Sequence, residues 1–96
     1  MQIVIRTYYG KGAKKLFDLL DQRQTEVESL MRSIDGFVSY TLARNGDGGF
    51  SVTVCQDQLG IDQSVKAALD FIAKHAPEMS VAAMHVSEGL VITHIN

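Results

Sequence analysis

Two changes in the spacing of apolar residues constrain this 96-residue chain more than any other feature. The opening stretch MQIVIRTYY is rich in β-branched and aromatic residues, as strands are. Apolar residues then recur every three or four positions, which predicts one long amphipathic helix from about Gly12 to Ile34. The same change, from strand-like runs to a helical stripe and back, occurs again after Gly36. The pattern predicts the element order β-α-β-β-α-β.

The glycine-rich stretch NGDGG between two strand-like runs predicts a hairpin turn, because it does not lead into a helix as a phosphate-binding loop does. Pairing Arg44 with Phe50 across a five-residue loop gives the hairpin two different faces. The core face then carries Tyr40, Leu42, Val52 and Val54, and the other face carries Ser39, Thr41, Ala43, Ser51, Thr53 and Cys55.

The second helix is predicted in DQLGIDQSVKAALDFIAKHAPE, with Asp62 as its N-cap and Pro77 ending it. Its predicted buried stripe is Val65, Ala68, Leu69, Ile72 and Ala76. After it, GLVITHI is the clearest strand, and VAAMHV is either an extension of that strand or a short strand of its own.

This element order predicts a ferredoxin-like α+β fold, with both helices on one face of an antiparallel sheet in the order 4-1-3-2. A chain of this length makes a single domain, residues 1–96. On the sheet face away from the helices, the predicted side chains are short and uncharged, and Lys and Glu are absent from that set. We therefore expect a homodimer that covers this face.

Composition excludes several classes of partner. The formal charge of −2, with no basic block, argues against nucleic acid. No apolar run approaches the roughly 18 residues of a membrane span, and the opening stretch is no signal peptide, so we expect a cytoplasmic protein. A single cysteine and three histidines without ligand spacing make no metal site, and we expect no cofactor.

Five side chains are candidates for substrate binding: Arg6, Tyr8, Tyr40, Cys55 and His94. The first strand is expected to turn Ile3, Ile5 and Thr7 towards the helices, which places Arg6 and Tyr8 on the same face as Cys55. An arginine there can anchor an anionic or phenolic ligand, although it can also reach solvent or a carboxylate. His94 is placed on the last strand and is either a base or a structural residue.

The stretch IDGFVSYTLARNGDGGFSVTVCQDQLGIDQSVKAALDFIAKHAP resembles antibiotic biosynthesis monooxygenase (ABM)-like domains of the dimeric α+β barrel superfamily. The resemblance implies a homodimer of two sheets packed face to face, with a pocket in each subunit. It also implies a small cofactor-independent oxygenase or isomerase that acts on an aromatic or quinone-like molecule. The alternative is a non-catalytic binding or interaction module on the same dimer, because the chain has no Trp, a residue that catalytic members use.

Overall fold

Four antiparallel strands form one sheet, and three helices cover one of its faces, in the computed structural model, which describes residues 1–76 and 85–96. The elements are β1 (Gln2–Tyr8), α1 (Ala13–Gln22), α2 (Gln24–Arg32), β2 (Phe37–Asn45), β3 (Gly48–Cys55), α3 (Gln58–His75) and β4 (His85–Leu90). The sheet order β2-β3-β1-β4 is the predicted order read from the opposite edge. The ferredoxin-like fold class is confirmed.

The predicted long helix is two helices that meet at Arg23, so the prediction of one helix over Gly12–Ile34 was wrong. Arg23 leaves helical geometry, with φ −113° and ψ 32°, and closes α1 with a hydrogen bond from its N–H to the carbonyl of Leu19. The apolar stripe has no member between Leu20 and Val27. Without an apolar side chain to pack at this turn, the two halves are free to bend there.

The hairpin register is one residue away from the predicted one. Arg44 pairs with Gly49 rather than with Phe50, and Asn45 pairs with Gly48 across a two-residue turn. Gly46 begins that turn with φ +61°, which favours glycine. Because a slip of one residue exchanges the faces of a strand, Ser51, Thr53 and Cys55 lie on the helix side. Val52 and Val54 lie on the other side of the sheet, so the side predicted for them was wrong, although Val54 is buried there at 3% exposure.

Close packing explains why two glycines belong to β3 rather than to a longer loop. A Cβ at Gly48 would overlap the carbonyl oxygen of Tyr8, and one at Gly49 would overlap the ring of Phe17. The Phe17 ring packs over Gly49 and edge-on to Tyr8, with 6.0 Å between ring centroids. In the observed register, Gly49 is the residue that leaves room for this ring.

β1 also faces the opposite way from the prediction. Val4 and Tyr8 are buried against the helices, and Arg6 shares their side. Cross-strand pairing then places Ile3, Ile5 and Thr7, with Phe50, Val52, Val54, Ser39, Thr41 and Ala43, on the face without helices, which we call the open face. The open face is thus more apolar than the sequence predicted, because the slip in β3 moves its Phe and Val residues there.

The N-cap of α3 is Asp57, five residues before the predicted N-cap Asp62. The side chain of Asp57, not Asp62, accepts a hydrogen bond from the N–H of Gly60 at 3.0 Å. A Cβ at Gly60 would lie 2.9 Å from the Cβ of Cys55, so glycine permits the close approach of α3 to β3. Ile72 and Ala76 are buried as predicted, whereas Leu69 is exposed.

The last strand is His85–Leu90, so the prediction of a strand over GLVITHI was wrong beyond Leu90. Residues 91–96 follow β4, with a bend at Ile92, and belong to no strand. Residues 81–84 of VAAMHV, like Pro77, lie outside the described residues. Within the described residues, no helix is long and apolar enough to cross a membrane.

Candidate functional site

A cleft of about 490 Å³ opens between the α1–α2 pair and strand β2. We call it the outer cleft. Its walls are apolar and its rim is charged, and it is lined by Phe17, Leu20, Asp21, Gln24, Val27, Glu28, Met31, Arg32, Phe37, Tyr40, Leu42 and Arg44. Its volume lies in the range of small-molecule sites, and its apolar walls with a few polar groups match their usual character.

A second, much smaller space of about 40 Å³ lies deeper between the sheet and the helices. We call it the inner chamber. Its polar lining comes from the strands and from α3: Arg6, Tyr8, Tyr40, Ser51, Thr53 and Ser64. Tyr40 and Leu42 line both spaces, together with Leu20, Val27 and Met31. A ligand in the outer cleft is therefore one layer of side chains away from the inner chamber.

Arg6 is the charged group of the inner chamber. Its Nε donates a hydrogen bond to the Tyr8 hydroxyl at 3.1 Å, and its guanidinium carbon lies 5.9 Å from the centre of the Tyr8 ring. Among residues 1–76 and 85–96, no carboxylate lies within ion-pair distance of it. A partly buried guanidinium without a carboxylate is suited to an anionic group of a ligand, because arginine stays charged and offers five donors.

Tyr40 remains a hydrogen-bond donor over the physiological range. Burial, and secondarily the neighbouring Tyr8, raise the pKa of Tyr40 to about 12. The phenol therefore keeps its proton and can donate it in a hydrogen bond to an oxyanion in either space. For the same reason, Tyr40 is not a general base near neutral pH.

The rim of the outer cleft is held by ion pairs across elements. Arg44 of β2 donates to a carboxylate oxygen of Asp18 at 2.5 Å and to the carbonyl of Lys14 at 3.2 Å. Hydrogen bonds to the Asp18 carboxylate, first from Arg44 and then from the Lys14 ammonium, lower the pKa of Asp18 below its ordinary value. Arg44 thus joins β2 to α1 at the mouth of the cleft.

The structure brings three of the five candidate residues together: Arg6, Tyr8 and Tyr40 all line the inner chamber. Cys55 lies apart, in a separate buried cluster with Val4 and Ile61. Burial, and then the charge of Asp57, raise the pKa of the Cys55 thiol, which disfavours a reactive thiolate.

His94 is not on a strand, which corrects its predicted position. It lies in the exposed tail, where its Nε2 is 3.1 Å from Oδ1 of Asn96, and it lines neither space of its own chain. In the described part of the chain, no group of three His, Cys, Asp or Glu residues is placed to hold a metal ion.

Sequence reasoning missed the polar lining that β3 and α3 supply. Ser51 and Thr53 were predicted for the open face, and Ser64 was not considered. The available signal was Gly49, because a glycine within a strand often marks the close approach of another group. Reading it that way places Ser51 and Thr53, two and four positions later, on the helix side.

No known protein-family profile matches the chain. Among curated proteins, the tubulin alpha-4 chain of Drosophila melanogaster is 26% identical over 90 residues, which make up 90% of this chain and 20% of that protein. The chain thus spans about a fifth of the length of this relative. An identity of this size over so small a share of tubulin does not carry tubulin's properties to this chain.

Solved structures similar to this chain cover almost all of it. A putative antibiotic biosynthesis monooxygenase from Chloroflexus aurantiacus is 20% identical, with a TM-score of 0.61 over 99% of this chain and 94% of that chain. SnoaB, a cofactor-independent oxygenase from Streptomyces nogalater, is 14% identical, with a TM-score of 0.59 over 98% and 93%. The heme-degrader MhuD from Mycobacterium tuberculosis, solved with two hemes bound, is 17% identical, with a TM-score of 0.61 over 99% and 98%.

At these identities the likeness is one of fold. The chain has the same ferredoxin-like α+β fold as these solved structures, among them a putative antibiotic biosynthesis monooxygenase, which agrees with the resemblance seen in its sequence.

Proposed function

We propose that this protein binds an aromatic or quinone-like molecule with an acidic hydroxyl or enol, and that it acts on it as a small cofactor-independent oxygenase. The aromatic part occupies the outer cleft, and the oxyanion points past Tyr40 towards Arg6. The single observation that carries the proposal is the guanidinium of Arg6, which lies among Tyr8, Ser51 and Thr53 with no carboxylate in contact among the described residues. SnoaB, a structure of the same fold, is a cofactor-independent oxygenase.

The chemistry of the proposal needs an anion and molecular oxygen. Arg6 and Tyr40 lower the free energy of the enolate or phenolate by donating to its oxygen, which favours loss of a proton to water at the mouth of the cleft. The anion is then oxidised by dioxygen. For a methylene group between two aromatic rings, the balanced reaction consumes one molecule of dioxygen, replaces the two hydrogens of the methylene carbon with a carbonyl oxygen, and releases one molecule of water. The substrate therefore supplies every electron that reduces dioxygen.

A non-catalytic binding module is the second candidate. The observation that favours it is the lining of the inner chamber, in which the described residues include no Asp, Glu, His or Lys. Arg6 holds an anion but does not remove protons, and the raised pKa of Tyr40 prevents it from acting as a base near pH 7.

We also propose that the protein is a homodimer joined through the open face. Ile5 is 36% exposed on this face, beside Val52 on β3. An antiparallel sheet whose second face meets water carries mainly polar residues there, which this face does not. Packing against a second copy buries the apolar side chains, and a twofold axis is the commonest arrangement for identical chains.

The test combines binding with oxygen consumption. Anthrone, 1,8-dihydroxyanthrone and a naphthoquinol are titrated into the protein by calorimetry, and oxygen uptake is followed with an electrode. We expect saturable binding and oxygen uptake in proportion to product. We expect Arg6→Met to weaken binding about 10- to 100-fold, because a charged hydrogen bond is lost.

Arg23→Met is the matched control, because Arg23 lines neither the outer cleft nor the inner chamber, and its side chain is exposed and paired with Glu26. It should change affinity by no more than about twofold. Saturable binding without oxygen uptake selects the non-catalytic module. Equal affinities for wild type and Arg6→Met, with both variants folded by circular dichroism, reject this site.

A further inference from the structure

The inner chamber has two halves of different chemistry. The strands supply its floor, which carries Arg6 and the hydroxyl groups of Tyr8, Ser51 and Thr53. The helices supply its other half, which we call the roof. The apolar side chains of the roof that do not reach the outer cleft are Leu16, Leu30, Val65, Ala68, Phe71 and Ile72. The floor and the roof therefore suit two different occupants.

One polar side chain, Ser64, lies in the roof, and its hydroxyl proton is already used. Ser64 is 2% exposed, and its hydroxyl donates to the carbonyl of Ile61 at 2.7 Å within α3. A buried water typically makes about three hydrogen bonds. Among the described residues, the roof offers no free donor to a water molecule. An apolar molecule loses no hydrogen bond in such a place and gains dispersion contacts.

The size of the chamber limits what the roof can hold. The chamber measures about 40 Å³. A single water-sized molecule needs roughly 10–15 Å³ of such space. With an oxygen atom of the ligand on the floor, the remaining space admits one further small molecule. An aromatic ring is too large for this space and stays in the outer cleft.

The roof can be reached without passing through the outer cleft. A groove of about 670 Å³ lies between α2 and α3 on the outside of the protein. Leu30 and Phe71 line both this groove and the inner chamber. One layer of side chains therefore separates the roof from solvent on this side, and a small molecule that crosses it does not have to pass a ligand in the outer cleft.

We propose that the roof of the inner chamber is a binding site for dioxygen. This inference rests on the proposed function, which requires dioxygen beside the anion of the ligand. Dioxygen is diatomic and apolar, so it fits both the size and the chemistry of the roof. The anionic oxygen lies on the floor against Arg6, and dioxygen lies across the same chamber. Holding two reactants side by side raises their effective concentration.

Methyl NMR spectra under dissolved oxygen test the site. Because dioxygen is paramagnetic, it broadens the signals of methyl groups that it contacts. Methyl-labelled protein is compared under nitrogen and under several bar of oxygen. We expect the signals of Leu16 and Ile72 to broaden several-fold more than those of Val54, which is also buried but lies on the other side of the sheet. Equal broadening at the three residues would overturn the proposal.

A substitution that fills the roof locates dioxygen more closely. Ala68→Leu adds an isopropyl group inside the roof, so the excess broadening at Leu16 and Ile72 should disappear. Ala73→Leu makes the same change on the exposed surface of α3 and should preserve the excess. Excess broadening that persists in a folded Ala68→Leu protein would overturn the site. If Ala68→Leu does not fold, the comparison of Leu16 with Val54 in the wild type decides alone.

A ligand that is already oxidised separates this inference from the proposed function. The protein is saturated with 1,8-dihydroxyanthraquinone before oxygen is added. Excess broadening that survives in this complex supports a dioxygen site distinct from the ligand site. Its loss shows that the ligand and dioxygen compete for one space, which overturns the inference. If the quinone does not bind, the ligand proposal fails, and the spectra of the free protein still decide whether the roof takes dioxygen.

Steady-state kinetics measures the consequence for the reaction. Ala68→Leu should raise the KM for dioxygen several-fold, and by a larger factor than the KM for 1,8-dihydroxyanthrone. Equal rises in the two constants would contradict a separate place for dioxygen. A wild-type protein that takes up no oxygen would reject the oxygenase, whereas the NMR result on dioxygen binding would stand by itself.

Discussion

Tyr40 links the electrostatics of the site to stability. Its pKa of about 12 in the folded protein lies above the value of 10.0 for an ordinary tyrosine. The folded state therefore holds the phenol proton more tightly than the unfolded chain does. This contribution to stability is complete below pH 10 and is lost as the pH rises through 12.

We expect the free energy of unfolding to fall more steeply between pH 10 and pH 12 in the wild type than in Tyr40→Phe. The difference in that fall should be roughly 1–2 kcal/mol, which allows for partial exposure of the ring. Urea denaturation followed by circular dichroism at several pH values measures it. Tyr9→Phe is the control, because Tyr9 is exposed. Parallel curves for wild type and Tyr40→Phe would contradict a raised pKa at this position.

At the scale of elements, a single carboxylate caps the N-terminus of α3. Asp57 has extended geometry, and its side chain satisfies the N–H of Gly60, one of the otherwise unpaired donors at a helix N-terminus. Asp62, the N-cap expected from the sequence, instead lies inside the helix and accepts from the amide of Gln58 at 3.0 Å on the surface.

Asp57→Ala should therefore lower the free energy of unfolding by about 1 kcal/mol, and Asp62→Ala should lower it by less than about 0.5 kcal/mol. Both substitutions remove one negative charge at the same end of α3, so net charge does not explain a difference. Thermal and urea denaturation of the two variants provide the measurement. The reverse order of stabilities would mean that α3 begins nearer to Asp62.

At the scale of the whole molecule, the open face is the surface that one chain leaves without helices. Ile5→Arg places a charge at its centre, where the second copy would have to bury it without a partner. We expect this variant to be a monomer at micromolar concentration, or to be partly unfolded. Ala73→Arg adds the same charge on the exposed surface of α3 and should leave the mass measured by light scattering unchanged. A dimeric, folded Ile5→Arg protein would show that the interface lies elsewhere.

Local sequence patterns determined the order of the elements, the strand order and the position of the hairpin, because apolar periodicity and turn residues act within a few positions. Arg6, Tyr8 and Tyr40 were proposed for one ligand from residue type alone. That the three share one chamber depended on which way β1 faces. Periodicity by itself did not settle that, since both sides of β1 carry apolar residues.

Tertiary contacts decided the register and the side of each strand that faces the helices. A slip of one residue leaves the local pattern of β3 almost unchanged but moves Ser51 and Thr53 from one face to the other. What selects the observed register is the ring of Phe17 over Gly49, a contact between residues 32 positions apart in the chain. Such contacts depend on shape across the fold, and no pattern of neighbouring residues contains them.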